Sequence, residues 1–305
     1  MKTARLAPYL FVFLWSTGFV GAKYGLPYAD PFIFLSLRIF IAAGILFIAA
    51  QLLKAPLVLT RGDIGKSSII GFFLHAFYLG GVFFAISKGV SAGVAAVITS
   101  LQPVFVSVLA VKVLGEKLRW SQFAGLVTGL IGVVLVLGPT FDSSVSKVGI
   151  AAVFVALLGS TTATLMQKKF GAGIPMLAGT AYQYLAAGAV LGVAAVATGG
   201  TRLEFTPKFA AAFIWLIIAL SVGAVLLLLR LLNSGSAASV SSLFYLVPPA
   251  TALEAYILFG EKVNTQGFLG IGISALGVWL VISKTNYWFS ISFNSCSVTL
   301  GTETA

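Results

Sequence analysis

The stretches VKVLGEKLRW (111–120) and AYILFGEKVNTQ (255–266) decide the fold. Each closes a long apolar run with the same triplet, Gly115–Glu116–Lys117 in the first and Gly260–Glu261–Lys262 in the second, 145 positions apart. Laid over one another at that offset without gaps, residues 88–137 and 233–282 share fourteen identities in fifty. Among them are Ser91/Ser236, Pro103/Pro248, Gly125/Gly270 and Gly132/Gly277. Apolar composition inflates such a score, but it does not produce a matched proline, matched glycines and a contiguous charged triplet. The chain is therefore read as a duplication. The earlier parts agree more weakly: Ser16–Thr17 fall over Ser160–Thr161 at an offset of 144, and Arg38 over Gln183 at 145.

Composition supplies the solvent. Of 305 residues, 59% are hydrophobic and 9% charged, against about 25% charged in soluble domains. With a mean hydropathy of +1.05, the apolar surface could not be hidden in water, and the lipid bilayer is the medium that accepts it. A helix needs roughly 20 apolar residues to cross. Ten stretches qualify: 6–25, 31–53, 65–87, 91–113, 120–138, 148–167, 177–198, 209–230, 236–258 and 265–283. Their apolar runs are continuous rather than alternating, which argues for helices over barrel strands. The expected fold class is all-α integral membrane, with ten transmembrane helices as two inverted five-helix repeats. The expected halves are 1–142 and 143–285, with 286–305 a disordered tail. Five spans per half is an odd number, so the second half enters the membrane from the opposite side. Inverted repeats are a signature of secondary transporters, with the substrate site near the midplane between the halves.

The net charge of +11 sits mostly in short loops, with no basic stripe interleaved with aromatics, so no nucleic-acid partner is expected. With the N-terminus inside, twelve Lys and Arg fall in inner segments and six in outer ones. That bias places both termini in the cytoplasm of a multi-pass inner-membrane protein. One cysteine, Cys296, and one histidine, His75, cannot build a disulfide or a Cys/His metal cluster. No nucleophile–base pair, paired carboxylates or Walker-type GxxxxGK[ST] loop is found. The chain is thus not expected to be an enzyme, and no cofactor or metal is expected.

The segments KGVSAGVAAVITSLQPVFVSVLAVKVLGEKL (88–118), YLVPPATALEAYILFGEKV (245–263), LWSTGFVGAKYGL (14–26) and LSLRIFIAAG (35–44) resemble the drug/metabolite transporter superfamily, in its EamA-like ten-helix branch. The resemblance covers residues from about 8 to 284. It implies a ten-helix bundle that exports small metabolites, with helices one to four and six to nine around the cavity and five and ten packed aside. Position 159, laid opposite Trp15, is Gly where the family often has an aromatic residue.

Candidate site residues follow from polarity inside apolar runs. Arg38 lies some eight residues, about 12 Å, below the outer end of its span. A charge there costs roughly 2.5–3.5 kcal/mol on insertion scales. It reads either as a snorkelling or structural cation or as an anion clamp, and the resemblance places an Arg here commonly. Glu254, one turn from the outer end of span nine, is either an interfacial carboxylate or a group that titrates or binds an amine. A pair with Arg38 is conceivable at that depth. His75 suits a hydrogen-bonded core or a proton relay, and Tyr78 shares its face. Trp15, Gln102, Gln183 and Tyr245 could line the cavity, and Tyr182 and Tyr184 flank Gln183. Pro103, Pro248 and Pro249, placed mid-helix, remove intrahelical bonds and suggest hinges. Gly125 and Gly129 form GxxxG, and Gly267, Gly270, Gly272 and Gly277 recur in span ten, so close helix packing is expected and a homodimer face is conceivable.

The expected function is a secondary active transporter exporting small metabolites, amino acids or similar, by alternating access, with the bilayer and a small-molecule substrate as its partners and proton coupling open. The alternative is a nucleotide-sugar or phosphorylated-metabolite exchanger of the same superfamily. That would need several cavity cations, and Arg38 alone stands out.

Overall fold

The computed structural model describes residues 2–90, 92–137, 146–259 and 265–282. The boundary expected at 142/143, the second Gly–Glu–Lys triplet, Cys296 and the tail after 285 lie outside them. The described residues are helical almost throughout, with one isolated antiparallel bridge, Ala29 to Leu203.

Among the described residues twelve helices follow in order: α1 (Lys2–Gly25), α2 (Pro31–Leu52), α3 (Arg61–Ser87), α4 (Ala92–Thr99), α5 (Gln102–Val113), α6 (Trp120–Leu137), α7 (Lys147–Phe170), α8 (Met176–Ala197), α9 (Pro207–Ser234), α10 (Ala237–Ser242), α11 (Val247–Phe259) and α12 (Thr265–Ile282). Six of them, α1, α2, α3, α7, α8 and α9, are long and apolar enough to cross a membrane. Helix occupies all ten expected stretches, two of which are broken. The fourth splits between α4 and α5, and the ninth between α10 and α11 through a 3₁₀ turn at Leu243–Leu246. The outer surface is apolar, with Val193 70% and Ile257 75% exposed, as lipid contact requires.

The duplication is visible in the backbone. Adding 145 to the bounds of α1, α2 and α6 yields those of α7, α8 and α12. The first span therefore needs no shift to 144, and Trp15 falls over Ser160. Stretches of π-helix recur at Phe72–Leu79 in α3 and Leu216–Ala224 in α9. Lys54 and Gly199, also 145 apart, both take positive φ after α2 and α8, at 51° and 66°. Packing repeats too. The two most extensive interfaces join equivalent helices, α6 with α12 and α2 with α8. Helix α1 packs on α9 and α11 as α7 packs on α3 and α5. Exchanging the halves maps this set of contacts onto itself, which is a two-fold relation.

Glycine closes the α6–α12 seam. A Cβ at Gly125 would stand 2.7 Å from the Gly277 carbonyl oxygen, and one at Gly132 would stand 2.8 Å from that of Gly270. Backbones this close admit no side chain. The GxxxG face is thus consumed inside the chain, and any homodimer would use another surface.

The prolines explain the breaks. Pro103 sits in the first turn of α5, and Pro248 and Pro249 in the first turn of α11. They open new helices rather than bend continuous ones. The missing N–H is tolerated there, where no intrahelical partner exists. Before the first break, Thr99 Oγ1 donates to the carbonyls of Ala95 and Ala96, at 2.8 and 3.2 Å.

Candidate substrate cavity

Arg38 in α2 is 1% exposed and is among the largest fully buried side chains. Its Nε and Nη1 find no hydrogen-bond partner, and it forms no ion pair among the described residues. Its guanidinium lies 5.7 Å from the centre of the Phe83 ring. Below it, the π-helical turn of α3 presents His75 and Tyr78, both buried. A π-turn widens the helix and re-aims its side chains, a feature frequent at functional sites. Trp15 Nε1 donates to Tyr78 Oη at 3.4 Å, with the rings stacked 6.3 Å apart. His75 meets Tyr184 edge to face at 4.6 Å, and its Nε2 has no partner. Tyr184 donates its hydroxyl to the Ser221 carbonyl, which lies in the second π stretch.

Trp15, Arg38, His75 and Tyr78 therefore line one cavity with Leu220 and Val225 of the other half. Its free volume is about 30 Å³, enough for a water molecule. Outside its lining, two polar pairs link three helices, and Gln167 and Gln183 line a separate small pocket. Gln102 Nε2 donates to Thr164 Oγ1 and Gln183 Nε2 to Gln167 Oε1, both at 3.0 Å. The Oε1 atoms of Gln102 and Gln183 are buried without partners. Tyr245 is buried against Gly129, its hydroxyl unpartnered, while Tyr182 packs on Phe47.

The other candidate charge stands apart. Glu254 accepts from Ser16 Oγ at 2.5 Å, in a separate crevice formed by α1, α9 and α11. The pair with Arg38 is not formed. The two residues project from different helices into different voids, and depth estimated along a span cannot register that.

Two participants, Phe83 and Ser221, carried no signal in the chain alone, being ordinary in composition. Ser16 stood out only through its repeat match, and Glu116 only as part of the repeated triplet, not as a contact to the other half. Gly115 takes a left-handed φ of 68°, and the Glu116 N–H returns to the Ala110 carbonyl at 3.3 Å, so a glycine in the left-handed region ends α5 with a closure one residue wider than the Schellman bond. The Glu116 carboxylate then crosses to the other half and accepts from the Ala237 N–H at 2.8 Å. Lys168 Nζ donates to the carbonyls of Leu232 and Gly235, at 2.7 and 2.5 Å. Carboxylate on the α10 start and ammonium on the α9 end complement the two helix dipoles. Both residues line a crevice of about 580 Å³ at that end of the bundle.

The EamA-like transporter family model matches residues 4–138 and again 147–283. The chain belongs to the EamA-like transporter family. It is thereby a membrane transporter of the drug/metabolite superfamily. The Escherichia coli (strain K12) protein described as "Uncharacterized inner membrane transporter YedA" is 26% identical over 270 residues, 88% of this chain and 87% of that one. A Salmonella typhimurium protein described as "Probable amino-acid metabolite efflux pump" is 33% identical over 130 residues, 42% of this chain and 40% of its own. A solved crystal structure shares the fold with a TM-score of 0.79 at 18% identity, covering 94% of this chain and 98% of that one. A multi-pass inner-membrane location fits the EamA-like assignment and the apolar helices.

Proposed function

We propose that this EamA-like protein is a secondary active exporter of small carboxylate-bearing metabolites, amino acids first among them, working by alternating access. The observation that carries the reading is Arg38: a buried guanidinium with two unpartnered nitrogens facing a void. A buried cation is expected to be paired. A carboxylate arriving with the substrate is the partner that fits a planar guanidinium. Trp15 and Tyr78 form an aromatic wall of the site, and the unpartnered His75 Nε2 supplies a polar contact.

The void, about 30 Å³, has room for a water molecule and not for an amino acid, so substrate requires an opening. The two-fold relation between the halves supplies a second form by exchange of their roles. Breaks before Pro103, Pro248 and Pro249 give the helices places to bend. The efflux-pump description of the Salmonella relative favours amino acids. A nucleotide-sugar or phosphate exchanger would need more cavity cations than Arg38. The test is counterflow in proteoliposomes across a panel of amino acids, with and without a pH gradient. Carboxylate-bearing substrates should exchange and their amides should not. Equal exchange of acids and amides overturns the clamp.

A further inference from the structure

The crevice of about 580 Å³ at the Glu116 end of the bundle has a charge pattern of its own. Three cations, Lys117, Arg119 and Lys168, line it against one carboxylate, Glu116. That carboxylate is committed, accepting from the Ala237 N–H at 2.8 Å. Lys168 is half-buried. The Leu232 and Gly235 carbonyls fix its ammonium by taking two of its three N–H groups, and one donor remains. Lys117 is exposed, and among the described residues no hydrogen bond or ion pair engages it. Lys117 and Arg119 stand between α5 and α6 in the first half, and Lys168 stands on α7 in the second. An anion held among them touches both halves.

Trp120 sets the depth of the crevice. It follows Arg119 directly, is 80% exposed, and stacks on Phe123 with ring centres 5.3 Å apart. Exposed tryptophans at the ends of spans sit at the headgroup level of a bilayer. The mouth of the crevice therefore lies beside lipid phosphates. The repeat does not demand this arrangement. The equivalents of Arg119 and Trp120 in the other half are Asn264 and Thr265, with neither a guanidinium nor an indole. A planar guanidinium meets two phosphate oxygens at once, and basic pockets between membrane helices accept anionic headgroups.

We propose that this crevice binds an anionic phosphate ester, one that carries no cation of its own, at the headgroup level of the membrane and separately from the Arg38 cavity. The experiment uses the full chain in dodecyl maltoside, with binding followed by native mass spectrometry. It is titrated with phosphatidylglycerol, with phosphatidylcholine of the same chains, and with glycerol 3-phosphate. Wild type should take up one phosphatidylglycerol at least fivefold more tightly than phosphatidylcholine. Arg119→Asn should weaken that binding about five- to tenfold, and Lys117→Gln about fivefold. Lys66→Gln removes an exposed cation outside the crevice and should change it by less than about twofold. Competition by glycerol 3-phosphate at equal concentration would support a soluble phosphate ester as the occupant. Competition only in large excess would support the lipid headgroup. Equal affinity for the two lipids, or the same affinity in all three variants, would overturn the site.

Discussion

At the scale of a residue, Arg38 separates stability from function. A buried, unpaired cation contributes little to folding, and a hydrophobic replacement of similar length is often neutral or stabilising. Arg38→Met should keep thermal stability within about 1 kcal/mol of wild type or raise it, while transport in proteoliposomes falls at least tenfold. A Met variant that transports normally would show that the guanidinium never meets substrate. Position 38 was legible as exceptional because a charge inside twenty apolar residues is a local anomaly. Its neighbours were not. Phe83 is 45 positions further on and Tyr184 lies in the other half, and only packing brings them within reach. Gly115 shows the opposite case. Its left-handed φ is imposed by the turn itself, so Gly115→Ala should cost about 1 kcal/mol, measured as a lowered unfolding midpoint.

At the scale of an element, the α6–α12 seam and the α9–α10 junction make separate predictions. The seam depends on backbones touching through Gly125, Gly132 and Gly277. Gly277→Val forces the helices apart and should destabilise by roughly 1–3 kcal/mol, the range for overpacking. The oligomeric state should not change, because the glycine face looks inward. A change of oligomer in that variant would restore the face to dimerisation. At the junction, Glu116→Ala leaves the α10 start uncapped and should cost about 0.5–2 kcal/mol. Glu116→Gln, which keeps an acceptor, should lose less. Identical midpoints for all three proteins would mean that the Glu116 contact contributes nothing. The glycine pattern already spoke for close packing, since small residues at helical spacing permit little else. Which helix would fill the groove was not legible, and neither was the reach of Glu116 into the other half. Breaks at the prolines were half legible: the residue type forbids a continuous helix, but helix restart and mid-helix kink look alike in one dimension.

At the scale of the whole molecule, orientation is the open quantity with the sharpest test. The charge bias predicts the loop around Arg61 inside and the loop around Arg202 outside. In intact cells, a single cysteine at 202 should react with a membrane-impermeant maleimide, and one at 61 only after lysis, with Cys296 replaced by Ser in both. The reversed pattern overturns the orientation and with it the direction assigned to transport.

The chain by itself determined its solvent, its helices and its duplication. Hydropathy, run length and repeat offset are properties of nearby or evenly spaced residues, and bilayer thickness converts them directly into spans. The tertiary structure decided which polar groups share a void. It gathered Trp15, Arg38, His75 and Tyr78 from three helices, and it sent Glu254 to another crevice with Ser16. Such assemblies depend on how helices rotate and cross. That is settled by the contact of glycine backbones and the fit of bulky side chains at many sites at once, and no single stretch of sequence contains it.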